Sequence, residues 1–320
     1  MRERRSLAIG LAVLALVVGS AATHAQRPTE HASPGAKKPW SEPRTPWGDP
    51  DIQAVWIYAT MTPLERPRDL STDVLTDEQA GKYEDDINAR RAVTNNTAGP
   101  DWWDPGTRTL MNRRSSLIVD PPTGRIPPMT PDAQRRTAER AQARRARGAP
   151  DSPEDLGLNE RCILWATAGP PMLPGPYNNT VQFIQTRDDV VIFNEMIHDA
   201  RIVPMKGQPH GTVPQWMGDS RGHWDGHTLV VDTIDFSEKT GFRGSSDKLH
   251  VVERFTRVNA DTLTYRFTVE DPATWTAPWT GELTMTRTNE PIYEYACHEG
   301  NYRSLAGIFS ASRTDAQKGR

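Results

Sequence analysis

Through the C-terminal half of the chain, apolar and polar positions alternate with a period of two. Leu263, Tyr265, Phe267 and Val269 alternate with Thr264, Arg266, Thr268 and Glu270. One face is apolar and the other wet, the pattern of a half-buried antiparallel strand. "WTGELTMTR" repeats the phase with Trp279, Leu283 and Met285. "VQFIQT", "DVVIFNEMIHDARIV", "HWDGHTLVVDTIDF" and "LHVVERFTRV" are rich in β-branched residues and predict further strands. Turn signals separate them at Arg187-Asp188-Asp189, at Asp225-Gly226 and at "NAD", residues 259–261. "PIYEYACH" predicts a last strand. About seven or eight strands in succession predict a mostly β fold, an antiparallel meander. Closure into a barrel removes its edges, and a barrel of about eight strands encloses one small ligand, as in a lipocalin-like fold. A β-sandwich is the alternative.

The N-terminal half reads differently. Arg2, Arg4 and Arg5 precede an apolar run, Leu7 to Val18, and Thr23-His24-Ala25 supplies small residues for cleavage. This layout predicts a secretory leader over residues 1–25, its apolar run too short to span a bilayer comfortably. Residues 26–159 read as a proline-rich wrap with two surface helices, with Trp40 and Trp47 placed to pin its start. "DIQAVWIYAT" predicts one strand within it. "LTDEQAGKYEDDINARRAV" predicts a helix, with Thr76 as cap and Gln79 at capping-box spacing. "TPDAQRRTAERAQARRARG" predicts a second, with Thr130 as cap, Pro131 in the first turn and Gly148 at the end. Its six arginines and few large apolar side chains fit a solvated face, or else an anion or partner surface. Residues 160–310 are the expected β core and 311–320 a disordered tail.

Composition narrows the function classes. The formal charge is −3, and losing the basic leader makes it more acidic still, which argues against nucleic acid as a partner. Hydrophobic residues are 36% of the chain and prolines number 27, so long surface segments are expected beside the compact part. An exported chain with only Cys162 and Cys297 predicts that the two pair. Closing that loop of about 135 residues stabilises by about 4–5 kcal/mol in the chain-entropy picture. The expected location is the periplasm or the medium, with no stable membrane insertion after cleavage.

No G-x-S-x-G elbow, phosphate loop, dinucleotide fingerprint, H-E-x-x-H or C-x-x-C occurs. Candidate chemistry therefore rests on dispersed residues. "GPPMLPGPYNNT" reads as a rigid loop holding Tyr177, Asn178 and Asn179 at a pocket, or as a tight turn satisfied by its asparagines. In "NEMIHDARIV", alternation places His198 inward as a tunable acid or base, with Asp199 to orient it and Arg201 to hold an anion. A hairpin turn at His198-Asp199 is the plainer alternative. In "YEYACHEGNY", Glu299 and His298 are further partners for His198, although Cys297 and His298 point apart on a strand. Zinc held by His198, His298 and Glu299 would require the fold to gather them. No organic cofactor is implied. His223 and His227 flank a hairpin tip, and Arg243 in "FRGSSDKLH" is placed to face a ligand.

"PMLPGPYNN", "MIHDARIV", "GHWDGHTLVVDT", "FRGSSDKLHVVERFTRV" and "YEYACHEGNY" resemble a group of uncharacterised exported bacterial proteins. Those proteins tend to read W-x-G-D-T-L-V-V where this chain reads "HWDGHTLVV", so His227 departs from the pattern. The resemblance implies export and no activity. Two functions are expected to compete. One is an exported enzyme acting on a small, aromatic molecule by acid–base chemistry of the lyase, isomerase or hydrolase type. The other is a non-catalytic periplasmic carrier or sensor of an apolar small ligand. Ten tryptophans favour an aromatic-lined pocket in either case.

Overall fold

The structure, a computed structural model, describes residues 40–94, 106–147, 150 and 152–318. The expected leader, and the arm as far as residue 39, lie outside these residues. In chain order the strands are β1 (Ala54–Ile57), β2 (Ile118–Asp120), β3 (Thr180–Gln185), β4 (Asp189–Asn194), β5 (Ala200–Pro204), β6 (Asp219–Asp225), β7 (Thr228–Ile234), β8 (His250–Arg257), β9 (Thr262–Glu270) and β10 (Trp279–Thr288). The helices are α1 (Asp77–Thr94), α2 (Pro131–Arg147) and α3 (Cys297–Lys318).

The strands form one antiparallel sheet in the order β5-β4-β3-β1-β10-β9-β8-β7-β6. The expected hairpins are present: β3–β4 across Arg187-Asp188, β6–β7 across Asp225-Gly226, and β8–β9 across residues 258–261. β10 pairs with β9 along one side and with β1 and β2 in succession along the other. Leu263, Tyr265, Phe267 and Val269 are fully buried, as their alternation requires.

The sheet curls without closing. No ladder joins β5 to β6, yet a Cβ on Gly222 of β6 would lie 2.5 Å from Met205 Sδ and 2.8 Å from Val203 Cγ1. Only a glycine leaves room for the two edges to approach there. Lipocalin-like closure is therefore not reached.

Four expectations change. First, the β core is not confined to residues 160–310. β1 lies between β3 and β10, and its Trp56, with Tyr58 beyond it, is buried in the interior. β1 falls within the strand expected at "DIQAVWIYAT", but its ladder partners lie more than a hundred residues away, so its central place is not local information. Second, "PIYEYACH" forms no strand. Pro291 has no N–H for a ladder, and the Tyr293 and Tyr295 amides donate to side chains instead. The helix α3 begins at Cys297 and includes residues 311–318, the expected tail. Third, the run 189–203 breaks into β4 and β5 at a 3-10 turn, where Ile197 (φ 63°) and His198 (φ 58°) are left-handed. Fourth, the interior expected to enclose a ligand carries packed aromatic side chains instead. Their rings form a chain of contacts: Phe183–Phe255 (5.0 Å between centroids), Phe255–Tyr265 (4.8 Å), Tyr265–Phe267 (5.4 Å) and Phe267–Trp279 (5.9 Å).

Both predicted helix starts are built as read. Gln79 N donates to Thr76 Oγ1 (3.1 Å) and Thr76 N to Gln79 Oε1 (2.9 Å), a reciprocal capping box. Ala133 N donates to Thr130 Oγ1 (3.2 Å) at the start of α2. Arg136 Nη2 then ties α2 to the sheet through the Ala273 carbonyl (3.0 Å) and Thr274 Oγ1 (3.2 Å).

Candidate functional site

Two clefts open at the rim of the sheet. A cleft of about 1030 Å³ runs between α2, the segment 154–170 and the segment 236–244. This is the upper end of the usual range for small-molecule sites. Leu164, Phe236 and Phe242 are buried in its floor, and the half-buried rings of Trp165 and Trp216 line it. Thr137, Arg140, Arg144 and Arg147 of α2 form the facing wall. Their three-and-four spacing keeps them on one face of the helix. Arg147 is paired with Asp155 (2.8 Å), and Arg161 approaches Glu154 (3.8 Å). Arg140, Arg144 and Lys239 have no ion-pair partner among the described residues. The alternative reading of the arginine-rich helix, an anion-facing surface, thus acquires a cleft to face.

A second cleft of about 540 Å³ adjoins the first and shares Ala166 and Phe242 with it. Thr60, Thr62, Arg91, Arg243 and residues 173–176 line it. The proline-rich loop therefore borders both clefts, with Gly169 and Pro170 on one and Leu173 to Pro176 on the other. Asn179 explains its rigidity. Its Oδ1 accepts from Gly175 N (2.6 Å) and its Nδ2 donates to the Gly175 carbonyl (3.0 Å), so Asn179 closes the loop on itself. Asn178 beside it is left-handed, φ 53°. Asn179 thus fills the turn role and is buried behind Gly175, which lines the smaller cleft.

The other expected site residues fall into three places. His198 sits at the exposed turn after β4, packed edge-on to Phe193 (5.0 Å), with Nδ1 accepting from Tyr295 N (3.1 Å). It does not point inward, because the left-handed turn breaks the alternation that put it there. Asp199 beside it is half-buried, and that burial raises its carboxyl pKa, with Arg201 opposing the shift. Tyr177 stacks on Tyr295 (6.4 Å) and meets Trp165 (6.0 Å). His198 and Tyr177 thus converge on Tyr295, with Tyr177 behind the Trp165 ring of the larger cleft and His198 in the lining of neither cleft. Burial and the Tyr177 hydroxyl raise the Tyr295 phenol. His298 and Glu299 lie exposed in the first turn of α3 and do not join His198. Cys162 and Cys297 are bonded, fixing α3 to the loop that walls the larger cleft.

Arg201 does turn inward, but to another partner. Its guanidinium pairs with Glu253 across the interior, from β5 to β8. Tyr265 Oη donates to Glu253 Oε1 (2.7 Å) and accepts from Met172 N (2.9 Å). All three side chains are buried, and burial, with Glu253 beside it, raises the Tyr265 phenol well above its ordinary value. Arg201 Nε and Nη2 remain without partners, as does Asn194 Oδ1 nearby in sequence. Glu253 was missed by sequence reading, although it stands in phase with Val251 and Phe255 on an apolar face. A carboxylate in an inward phase is the signal that finds such a crossbar.

A second group outside the expected set joins the loop after β5 to the sheet's outer face. Asp232 accepts from His250 Nε2 (2.8 Å) and contacts His210 Nε2 (3.0 Å), while His210 Nδ1 contacts Asp219 (3.2 Å). The His250 hydrogen bond lowers the Asp232 carboxyl, and the same bond raises His250. His227 pairs with Glu42, as a surface contact. Among the described residues no group of three His, Cys, Asp or Glu side chains is arranged to hold a metal ion. No described helix is long and apolar enough to cross a membrane. Set beside known proteins, the chain matches no protein-family model and no curated protein.

Proposed function

We propose that this protein is an exported binder of small aromatic molecules, a carrier or sensor, using the cleft between α2 and Phe242. The observation that carries the reading is the cleft's lining: Trp165, Trp216 and Phe242 stand opposite a wall of arginines. Flat rings supply stacking area, and guanidinium groups stack on aromatic faces as well as holding anions. The Cys162–Cys297 bond supports a site of action in an oxidising compartment. In the alternative, His198 and Asp199 work as an acid–base pair on a small substrate, with Glu299 in support. Its favourable observation is Asp199, whose raised carboxyl adjoins an imidazole. The binder is preferred because the aromatic residues adjoin a cleft and His198 does not.

Calorimetry with 1-naphthaleneacetamide as a neutral probe tests the choice. The binder reading expects Trp216→Ala to weaken binding about tenfold, from loss of a stacked ring, and His198→Ala to leave it unchanged. Binding indifferent to Trp216→Ala but lost in His198→Ala would overturn it.

A further inference from the structure

The segment between the two clefts has a backbone that an arginine seldom adopts. Gly241 (φ 59°), Arg243 (φ 49°) and Gly244 (φ 87°) are all left-handed. Glycine is at ease there; arginine is strained. The surroundings hold it in place. Phe242 is buried in the floor of the larger cleft, 6.4 Å from Trp279 and stacked on it. On the other side, Ser246 N and Oγ donate to Asp271 (2.7 and 3.0 Å). Arg243 is thereby presented to the smaller cleft.

Its guanidinium has no hydrogen bond or ion pair within 4 Å among the described residues. Glu65 is the carboxylate that it feels at longer range, and Glu65 is itself engaged by Ile126 N (3.2 Å). Partial desolvation lowers the guanidinium pKa although the residue remains solvent-exposed, and arginine stays charged in proteins. A solvent-reaching cation with its donors unspent, held by a left-handed backbone in the lining of the smaller cleft and next in sequence to Phe242, is half of an ion pair.

We infer that Arg243 is an anion subsite, and that the ligand is an aromatic carboxylate whose ring lies beside Phe242 and whose charge lies in the smaller cleft. This deepens the binding reading and rests on it. The planar fork of arginine takes both oxygens of a carboxylate.

The test uses the full-length protein and matched pairs of acetates and acetamides bearing naphthyl, indolyl or phenyl groups, titrated at low and at high salt. The wild type is expected to bind each acetate about tenfold tighter than its amide, a margin that shrinks with salt. Arg243→Gly is expected to abolish the margin and leave amide binding intact. Because glycine suits a positive φ, that variant should keep or raise the thermal midpoint, which a purely structural arginine would not allow. Arg243→Gln, checked for folding by circular dichroism, should lose the margin likewise. Equal affinity of acids and amides for the wild type would overturn the subsite and leave the aromatic cleft standing. So would a margin that survives Arg243→Gly. No binding of either series would overturn both.

Discussion

At the scale of single residues, the most consequential group is buried and distant from both clefts. Glu253 is fully enclosed and compensates Arg201 while accepting from Tyr265. Glu253→Gln leaves a buried guanidinium uncompensated and is expected to destabilise by about 3–5 kcal/mol. Replacing both ends, as Arg201→Met with Glu253→Leu, should recover much of that loss, because neither charge then needs a partner. Chemical denaturation of the single and double variants measures the coupling; additive losses would contradict it. A second residue-scale prediction concerns pH. The Asp232 hydrogen bond raises His250 above 6.5, so its contribution is fully present below 6.5 and is lost as pH rises through the folded value. The same bond depresses Asp232 below 3.8, so its contribution is present above 3.8 and is lost as pH falls through the folded value. The pair thus stabilises most between those limits. His210, Asp219 and Glu270 face the same cluster and modulate it. The melting difference between wild type and His250→Gln should be larger at about pH 5.5 than at about pH 8.5. An equal difference at both pH values would remove the linkage.

At the scale of elements, what could be read in advance follows the range of the interactions. Hairpins and helix starts are local. Asp225-Gly226, the 259–261 turn, and the Thr76–Gln79 box are complete within a few residues, so the sequence displays them. β1 was legible as a strand but not as a central one, because its place depends on β3 and β10. The inward role assigned to His198 failed for a local reason: two left-handed residues reset the alternation, within the hairpin turn that the plainer reading of His198-Asp199 expected. Of the candidate site, the proline loop was visible as an oddity of composition, and Arg243 only as an arginine in a loop of small polar residues. Trp165 and Trp216 were not distinguished among ten tryptophans, since a cleft is a relation between segments. The glycines yield an element-scale prediction. A Cβ on Gly281 of β10 would lie 2.3 Å from the Phe267 ring, whereas on Gly222 it meets the Met205 thioether at 2.5 Å and a Val203 methyl at 2.8 Å. Gly281→Ala is expected to cost about 1–3 kcal/mol, because a packed ring cannot withdraw. Gly222→Ala should cost less, since part of its clash is with the mobile end of a methionine. Thermal melts that reverse the order would contradict the packing described.

At the scale of the molecule, the disulfide and the clefts are linked through one loop. Cys162 lies in the segment that walls the larger cleft, and Cys297 begins α3. Asn301 Nδ2 approaches both sulfurs (3.2 and 3.5 Å) and donates to the Glu160 carbonyl (3.1 Å), so the helix start and the cleft wall form one unit. Titration of the denatured, unreduced protein should find no free thiols; two per chain would contradict the pairing. Reduction is expected to loosen that wall and weaken probe binding while the sheet, which contains no cysteine, stays folded. The antiparallel sheet packs aromatic rings into its interior, and the proposed binding site lies at its rim. The most direct test of that claim is crystallographic screening of the protein with a library of aromatic acids and amides. Ligand density is expected between Trp165, Trp216 and Phe242, with carboxylates directed to Arg243. Density confined to the His198 turn, or found inside the sheet, would contradict it.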